Sequence, residues 1–196
     1  MSRKLFFILC VLVALLAGCS STPATRFYML GPSAEPVAGL RAGYSLSVGP
    51  VLIPAVVDRP QIVLQTGPNQ VFIAEFDRWA APLKEAIPRV VAENLSLMLG
   101  AQDVAIFPRS GPVDASYRVT IDILRFESLP DKAAVIDARW TVRSTKDGKT
   151  ESGRAKITEA VRADGYPELV AAYSRALEQL SSQVAKTVRE VDGNKP

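Results

Sequence analysis

One sulfur in this chain is placed for chemistry. It is Cys19, in the stretch Leu15-Leu16-Ala17-Gly18-Cys19-Ser20-Ser21. Arg3 and Lys4 precede an unbroken apolar run from Leu5 to Ala17. A basic end, an apolar centre and a small-residue exit are the order of a secretory signal peptide. The run is shorter than the roughly 20 apolar residues that cross a bilayer core of ~30 Å. A cut after Gly18 makes Cys19 the first residue of the exported chain, with its sulfur beside a new amine. Other chemistry is scarce. Histidine is absent, which removes the commonest general base, the commonest metal ligand and every Ser-His or Cys-His arrangement. No zinc-type cysteine cluster and no GxGxxG or Walker-type phosphate loop occurs. The carboxylates are scattered among cations at positions that read as solvated. The expectation is a protein that is not an enzyme, with no metal and no soluble cofactor.

The residues Leu16-Ala17-Gly18-Cys19 resemble the bacterial lipobox. That resemblance implies a diacylglyceryl thioether on the Cys19 sulfur, cleavage between Gly18 and Cys19, and an acyl chain on the new amine. Burial contributes about 0.8 kcal/mol per CH₂, so two or more chains hold a domain firmly where one is marginal. The plainer alternative is a signal peptide that merely contains a cysteine. With the signal gone, Arg3 and Lys4 go too, and the formal charge falls from +3 to +1. The basic balance is an export signal, and no charge-driven case for nucleic acid survives. The remaining 178 residues suffice for one domain with a real core. They carry no disulfide, because Cys10 leaves with the signal and Cys19 carries lipid.

The elements follow from periodicity. Residues 19–25 form a lipidated leader, and its six residues after Cys19 reach about 20 Å at ~3.3–3.6 Å each. The domain therefore sits close to its membrane. Arg26–Leu30 reads as a first strand. Tyr44–Ile53 is a second, and Pro50 and Pro54 put it at a sheet edge or make it bend. Gln61–Ala74 reads as a hairpin turning at Gly67-Pro68-Asn69. From Trp79 to Leu99 the apolar period lengthens to that of a helix, with Asp77 as N-cap, Pro88 inside and Gly100 as stop. Asp103–Phe107 is a short strand. Tyr117–Phe126 alternates, with a phase change at Leu124 that suggests a bulge. Val135–Arg143 and Glu151–Val161 pair across an Asp147-Gly148 turn.

A last helix starts at Asp164 or Tyr166, before Pro167. It carries Leu169, Tyr173, Leu177, Leu180, Val184 and Val188 as one apolar stripe. Such a stripe either packs onto a sheet or seeds a coiled coil. The resulting fold class is α+β: a largely antiparallel sheet with two main helices packed on one face, a single domain over residues 26–191, and a flexible tail at 192–196.

One stretch is not generic: Val48-Gly49-Pro50-Val51-Leu52-Ile53-Pro54-Ala55-Val56-Val57-Asp58-Arg59-Pro60-Gln61-Ile62-Val63. Together with Arg26-Phe27-Tyr28-Met29-Leu30 and Arg78-Trp79-Ala80-Ala81-Pro82-Leu83, it resembles the signature of the ABC-type transport auxiliary lipoproteins, the family of the paraquat-inducible Pqi lipoprotein. The likeness is strongest over residues 44–100 and weak over the last three strands. It implies a non-enzymatic auxiliary component of an MCE/ABC-type lipid transport system supporting membrane integrity. It also implies an MCE-domain trans-envelope protein as partner, and the ring symmetry of such partners suggests a homo-oligomeric ring here. Residue +2 after the lipid cysteine is Ser20, unlike the aspartate of inner-membrane retention. The expected location is the periplasmic face of the outer membrane of a Gram-negative bacterium.

In residue terms, three prolines make the signature stiff, extended and unable to complete a regular ladder. Leu52 and Ile53 then read as an apolar docking strip, with Asp58, Arg59 and Pro60 setting register by charge-assisted bonds. The same three residues equally make a rigid turn, with the arginine tying down loop carbonyls. Arg78 and Trp79 are of the types enriched at interface centres, yet a tryptophan there equally serves as a core lid. Two other functions fit the same composition. One is a stand-alone lipid-binding carrier with an apolar pocket between sheet and helices. The other is an envelope-assembly or cell-wall regulator.

Overall fold

The computed structural model describes residues 23–108, 115–130 and 132–193. Cys19 and the signal segment lie outside the described residues, as do residues 194–196. Among the described residues, four strands and a helix are followed by four more strands and a second helix. Strands β1 (Arg26–Tyr28), β2 (Leu46–Leu52), β3 (Gln61–Gly67) and β4 (Gln70–Trp79) precede helix α1 (Leu83–Leu99). Strands β5 (Val104–Ile106), β6 (Tyr117–Leu129), β7 (Ala133–Ser144) and β8 (Thr150–Ala160) precede helix α2 (Tyr166–Asp192). All eight strands join in one curled sheet, ordered β1-β4-β3-β6-β2-β5, with β7 and β8 continuing from the other side of β6. The chain is a single α+β domain.

The sheet is mixed rather than simply antiparallel. The ladders β3–β4, β6–β7 and β7–β8 are antiparallel and hold most of the paired residues. β1 runs parallel to β4, and β2 runs parallel to both β5 and β6, while β3 touches β6 in parallel at Leu64–Ser128. Hairpin turns explain the first group. The second group arises where the chain returns after a long excursion, and such crossovers allow parallel pairing.

Three sequence expectations change. β2 is not an edge strand, since it is paired on both sides; of the two options the prolines allowed, the bend holds. The Gly49–Pro50 bond is cis, and the register against β6 shifts between Val48 and Val51, so the missing Pro50 N–H falls where the ladder is already broken. The first helix begins at Leu83, not Trp79, and Pro82 rather than Asp77 stands at its N-cap position. The ladder wins this contest: Trp79 N donates to Pro60 O at 2.7 Å and Ala80 N to Tyr28 O at 2.7 Å, so the strand runs through Trp79 and the helix waits until after Pro82. The first strand is shorter than expected, ending at Tyr28. The bulge in β6 lies where the alternation slips, between Ile123 and Arg125.

Both helices cover one face of the sheet. α1 packs on β2 and β5, α2 packs on β7 and β8, and the two helices touch each other. The whole apolar stripe of α2, from Leu169 to Val188, is buried. Those side chains fill the space between sheet and helices, which is the space a carrier's pocket would need, and they leave no stripe for a coiled coil. The fully buried Asn94 accepts from Ser33 N and Ala34 N at 3.2 Å and donates to Ser181 Oγ at 3.4 Å. It thereby joins the loop after β1 to both helices.

Trp140 of β7 donates its indole N–H to Thr187 of α2 at 3.0 Å, and its ring lies over Gly153 of β8. A Cβ at position 153 would stand 2.3 Å from Trp140 Cζ2, so only glycine lets the indole reach α2. Overpacking of this kind costs about 1–3 kcal/mol. Gly153→Ala is therefore expected to lower the unfolding free energy from urea titration by that amount. Gly43→Ala, where no atom lies within 4 Å, serves as the control and should change it little.

Candidate docking surface

The signature 48–63 divides its side chains between two environments. Val48, Val51, Val57, Ile62 and Val63 are buried, and Ile53 packs partly against the core. Pro50, Leu52, Ala55, Val56 and Pro60 are left facing outward, Leu52 with 58% of its surface exposed. Tight backbone bonds hold the outward part. Val57 N donates to Pro54 O at 3.1 Å, Asp58 N to Ala55 O at 3.3 Å, and Arg59 N to Val57 O at 2.9 Å. The Asp58 carboxylate pairs with Lys84 in the first turn of α1 at 2.5 Å. A buried valine inside a turned segment, tied by an ion pair to a helix, presents its neighbours in one fixed arrangement.

The sequence-predicted residues fall into two groups. Asp58, Arg59 and Pro60 meet Arg78 and Trp79, because Gln61 is paired with Arg78 and Pro60 O accepts from Trp79 N. Arg78 is half-buried, and its guanidinium donates to Glu75 O at 3.0 Å and Glu75 Oε1 at 3.1 Å. Leu52 lies apart, on a shallow groove of about 550 Å³ shared with Pro50, Asp122, Arg139 and Arg154. Trp79 belongs to the core rather than to the surface. It is 7% exposed and makes edge contacts with Phe126 and Tyr173 at centroid distances of 6.3 and 6.0 Å. Of its two sequence readings, the core lid is the one its position fits.

Arg59 is the unusual member. It ties down no loop carbonyl through Nε, which is shielded from solvent and has no hydrogen-bond acceptor. A buried donor left unmet costs about 1–3 kcal/mol.

Sequence reasoning misassigned Asp77, whose role is to latch β1. Arg26 donates to both Asp77 oxygens at 2.8 and 2.9 Å, and the Tyr28 hydroxyl donates to Oδ1 at 2.8 Å. Burial first, and then this bond to Asp77, push the Tyr28 hydroxyl above its ordinary value of 10.0. The alternation Arg26, Tyr28 against Phe27, Met29 was the available signal, since residues two apart share a face. No helix among the described residues is long and apolar enough to cross a membrane, and no group of three or more His, Cys, Asp or Glu is placed to hold a metal ion.

The family model of the ABC-type transport auxiliary lipoprotein component matches residues 28–185. The chain belongs to this family. Members of the ABC-type transport auxiliary lipoproteins act as transport components and not as enzymes. Among curated relatives, the intermembrane transport lipoprotein PqiC of Escherichia coli is 23% identical over 179 residues, covering 90% of this chain and 93% of PqiC. A crystal structure of a Xanthomonas campestris protein superposes with a TM-score of 0.71 at 18% identity, over 86% of this chain and 97% of that one. A second crystal structure, of an uncharacterized protein, gives 0.70 at 22% identity, over 85% and 99%. These likenesses show that the fold is shared. They reach both helices and the sheet of this auxiliary lipoprotein.

The latch makes β1 separable from the core. Asp77→Ala is expected to speed amide exchange at Phe27 and Tyr28 while leaving the β6–β7 ladder protected; unchanged exchange in β1 would refute the latch. The pH dependence has a definite sign. A raised tyrosine value contributes stability that is complete below pH 10.0 and is lost as pH rises through the raised folded value. Tyr28→Phe should remove that alkaline loss.

Proposed function

We propose that this lipoprotein is held by acyl chains on Cys19 in the outer membrane, faces the periplasm, and docks an MCE-domain trans-envelope protein. In this reading it is an auxiliary component of a lipid transport system that supports membrane integrity. The observation that carries the docking role is the signature segment. It leaves Leu52, Ala55 and Val56 facing outward on a segment fixed by its turn and by the Asp58–Lys84 pair. Apolar residues on a stiff segment accept another chain's strand or helix. PqiC, by its printed name, is an intermembrane transport lipoprotein, which supports the same class of role. Ser20 at the position after Cys19 favours the outer membrane. A homo-oligomeric ring, matching a symmetric partner, completes the proposal.

The test is capture of partners by tagged, lipidated protein in detergent, with identification by mass spectrometry. An MCE-domain protein is the expected catch. Leu52→Glu and Arg59→Glu should each lower its recovery about tenfold, the effect of roughly 1.4 kcal/mol at an interface centre. Trp79→Ala should act through the melting temperature instead. Capture unaffected by both surface variants would move the interface elsewhere. Recovery of a peptidoglycan synthase in place of an MCE protein would replace the transport reading by cell-wall regulation.

A further inference from the structure

Of the four most exposed large apolar side chains among the described residues, two stand at the start of the domain and one just after β5. Phe27 and Met29 are 65% and 63% exposed, and Phe107 is 55% exposed. Phe27 and Met29 leave β1 on the side opposite Arg26 and Tyr28, which turn to Asp77. Met29 and Phe107 line one groove, walled by Pro88 of α1 and edged by Lys84, Glu85 and Arg89. Lys84 is paired with Asp58, whereas Arg89 makes no ion pair among the described residues. Exposed apolar groups in such a cluster, rimmed by polar ones, mark a surface that something covers.

Chain length says what covers it. Only Ser20, Ser21 and Thr22 separate Cys19 from the first described residue, Pro23. Four steps of ~3.3–3.6 Å put Pro23 within about 14 Å of the lipidated residue. Three exposed residues later the chain is already in β1. With Cys19 acylated, β1 is the part of the sheet that the anchor holds to the bilayer. We propose that Phe27, Met29 and Phe107 rest in the headgroup layer of the leaflet that carries the anchor, with Arg89 reaching a lipid phosphate. This seat rests on the Cys19 reading and adds an orientation to it. Aromatic and methionine side chains enter the interfacial layer while long cationic ones extend along it to the phosphates. The Asp77 latch then gains a use, since it fixes which side of β1 meets the lipid.

The sequence makes a clean test available. The chain has two cysteines, Cys10 in the removed segment and the acylated Cys19, so an introduced cysteine is the sole free thiol. Full-length lipidated protein carrying Phe27→Cys, Phe107→Cys or Lys146→Cys is labelled with a nitroxide. It is then reconstituted in vesicles of phosphatidylethanolamine and phosphatidylglycerol. Lys146 is exposed in the β7–β8 turn, and β7 lies three strands from β5 and four from β1 across the sheet. Collision rates with lipid-soluble oxygen and with an aqueous nickel chelate are compared.

Labels at 27 and 107 are expected to favour oxygen over nickel several-fold relative to the label at 146. Protein that floats with the vesicles while all three labels meet nickel equally would overturn the seat and leave the anchor standing. Labels at 27 and 107 shielded from both probes would overturn it in favour of a protein covering. Protein that fails to float would sink the anchor reading and the seat with it.

Discussion

Strand β6 has thirteen residues, and the backbone groups on both its edges need partners. On one edge β7 pairs along almost the whole length. On the other edge the task is shared: β2 covers Tyr117 to Asp122, and β3 arrives at Ser128. The β6 bulge between Ile123 and Arg125 lies in the gap between these two partners. β2 and β3 are thus successive parallel neighbours of one strand, and the residues from Ile53 to Pro60 are the detour between them. This accounts for the prolines of the signature. The chain must leave the ladder, turn and rejoin it, and residues lacking an N–H or fixing φ suit that course.

Where the detour rejoins the ladder at Pro60, Trp79 leads into an aromatic cluster of the core. Phe126, just past the bulge, stacks on Tyr173 of α2 at 4.0 Å, and Trp79 closes on both rings. The Tyr173 hydroxyl, fully buried, is matched with Ser128 Oγ at 2.8 Å. Burial pushes that hydroxyl well above the ordinary tyrosine range, so it stays neutral and keeps its bond. The detour that joins this cluster at Pro60 is held by its own turn bonds and by the Asp58–Lys84 pair, and a pre-ordered segment loses less entropy on docking.

Periodicity made much of this legible. The α2 stripe, the β6 slip at Leu124 and the Asp147-Gly148 turn each follow from side-chain spacing alone, because burial of one face enforces the pattern. What spacing left open was decided at long range. Trp79 looks equally like the start of a helix and the end of a strand until Pro60 and Tyr28 are seen to bond its neighbourhood. Asp77 satisfies the rule for a helix cap, but the partners that claim it, Arg26 and Tyr28, are about fifty residues away. Parallel pairing of β2 with β6 is likewise invisible locally. Arg59 could be read as a carbonyl clamp because arginine so often is one; only the surroundings of its Nε show a donor without an acceptor.

The way β1 joins the sheet has a mechanical side. It is held to β4 by three residue pairs and to Asp77 by side chains, and it is the first element among the described residues. Any pull on the chain ahead of the domain, such as that of the proposed anchor, passes through β1 before it reaches the core. The strand is therefore a weak link placed upstream of everything else. Under load it is the piece that can part first, lengthening the tether while β6 and its neighbours stay folded.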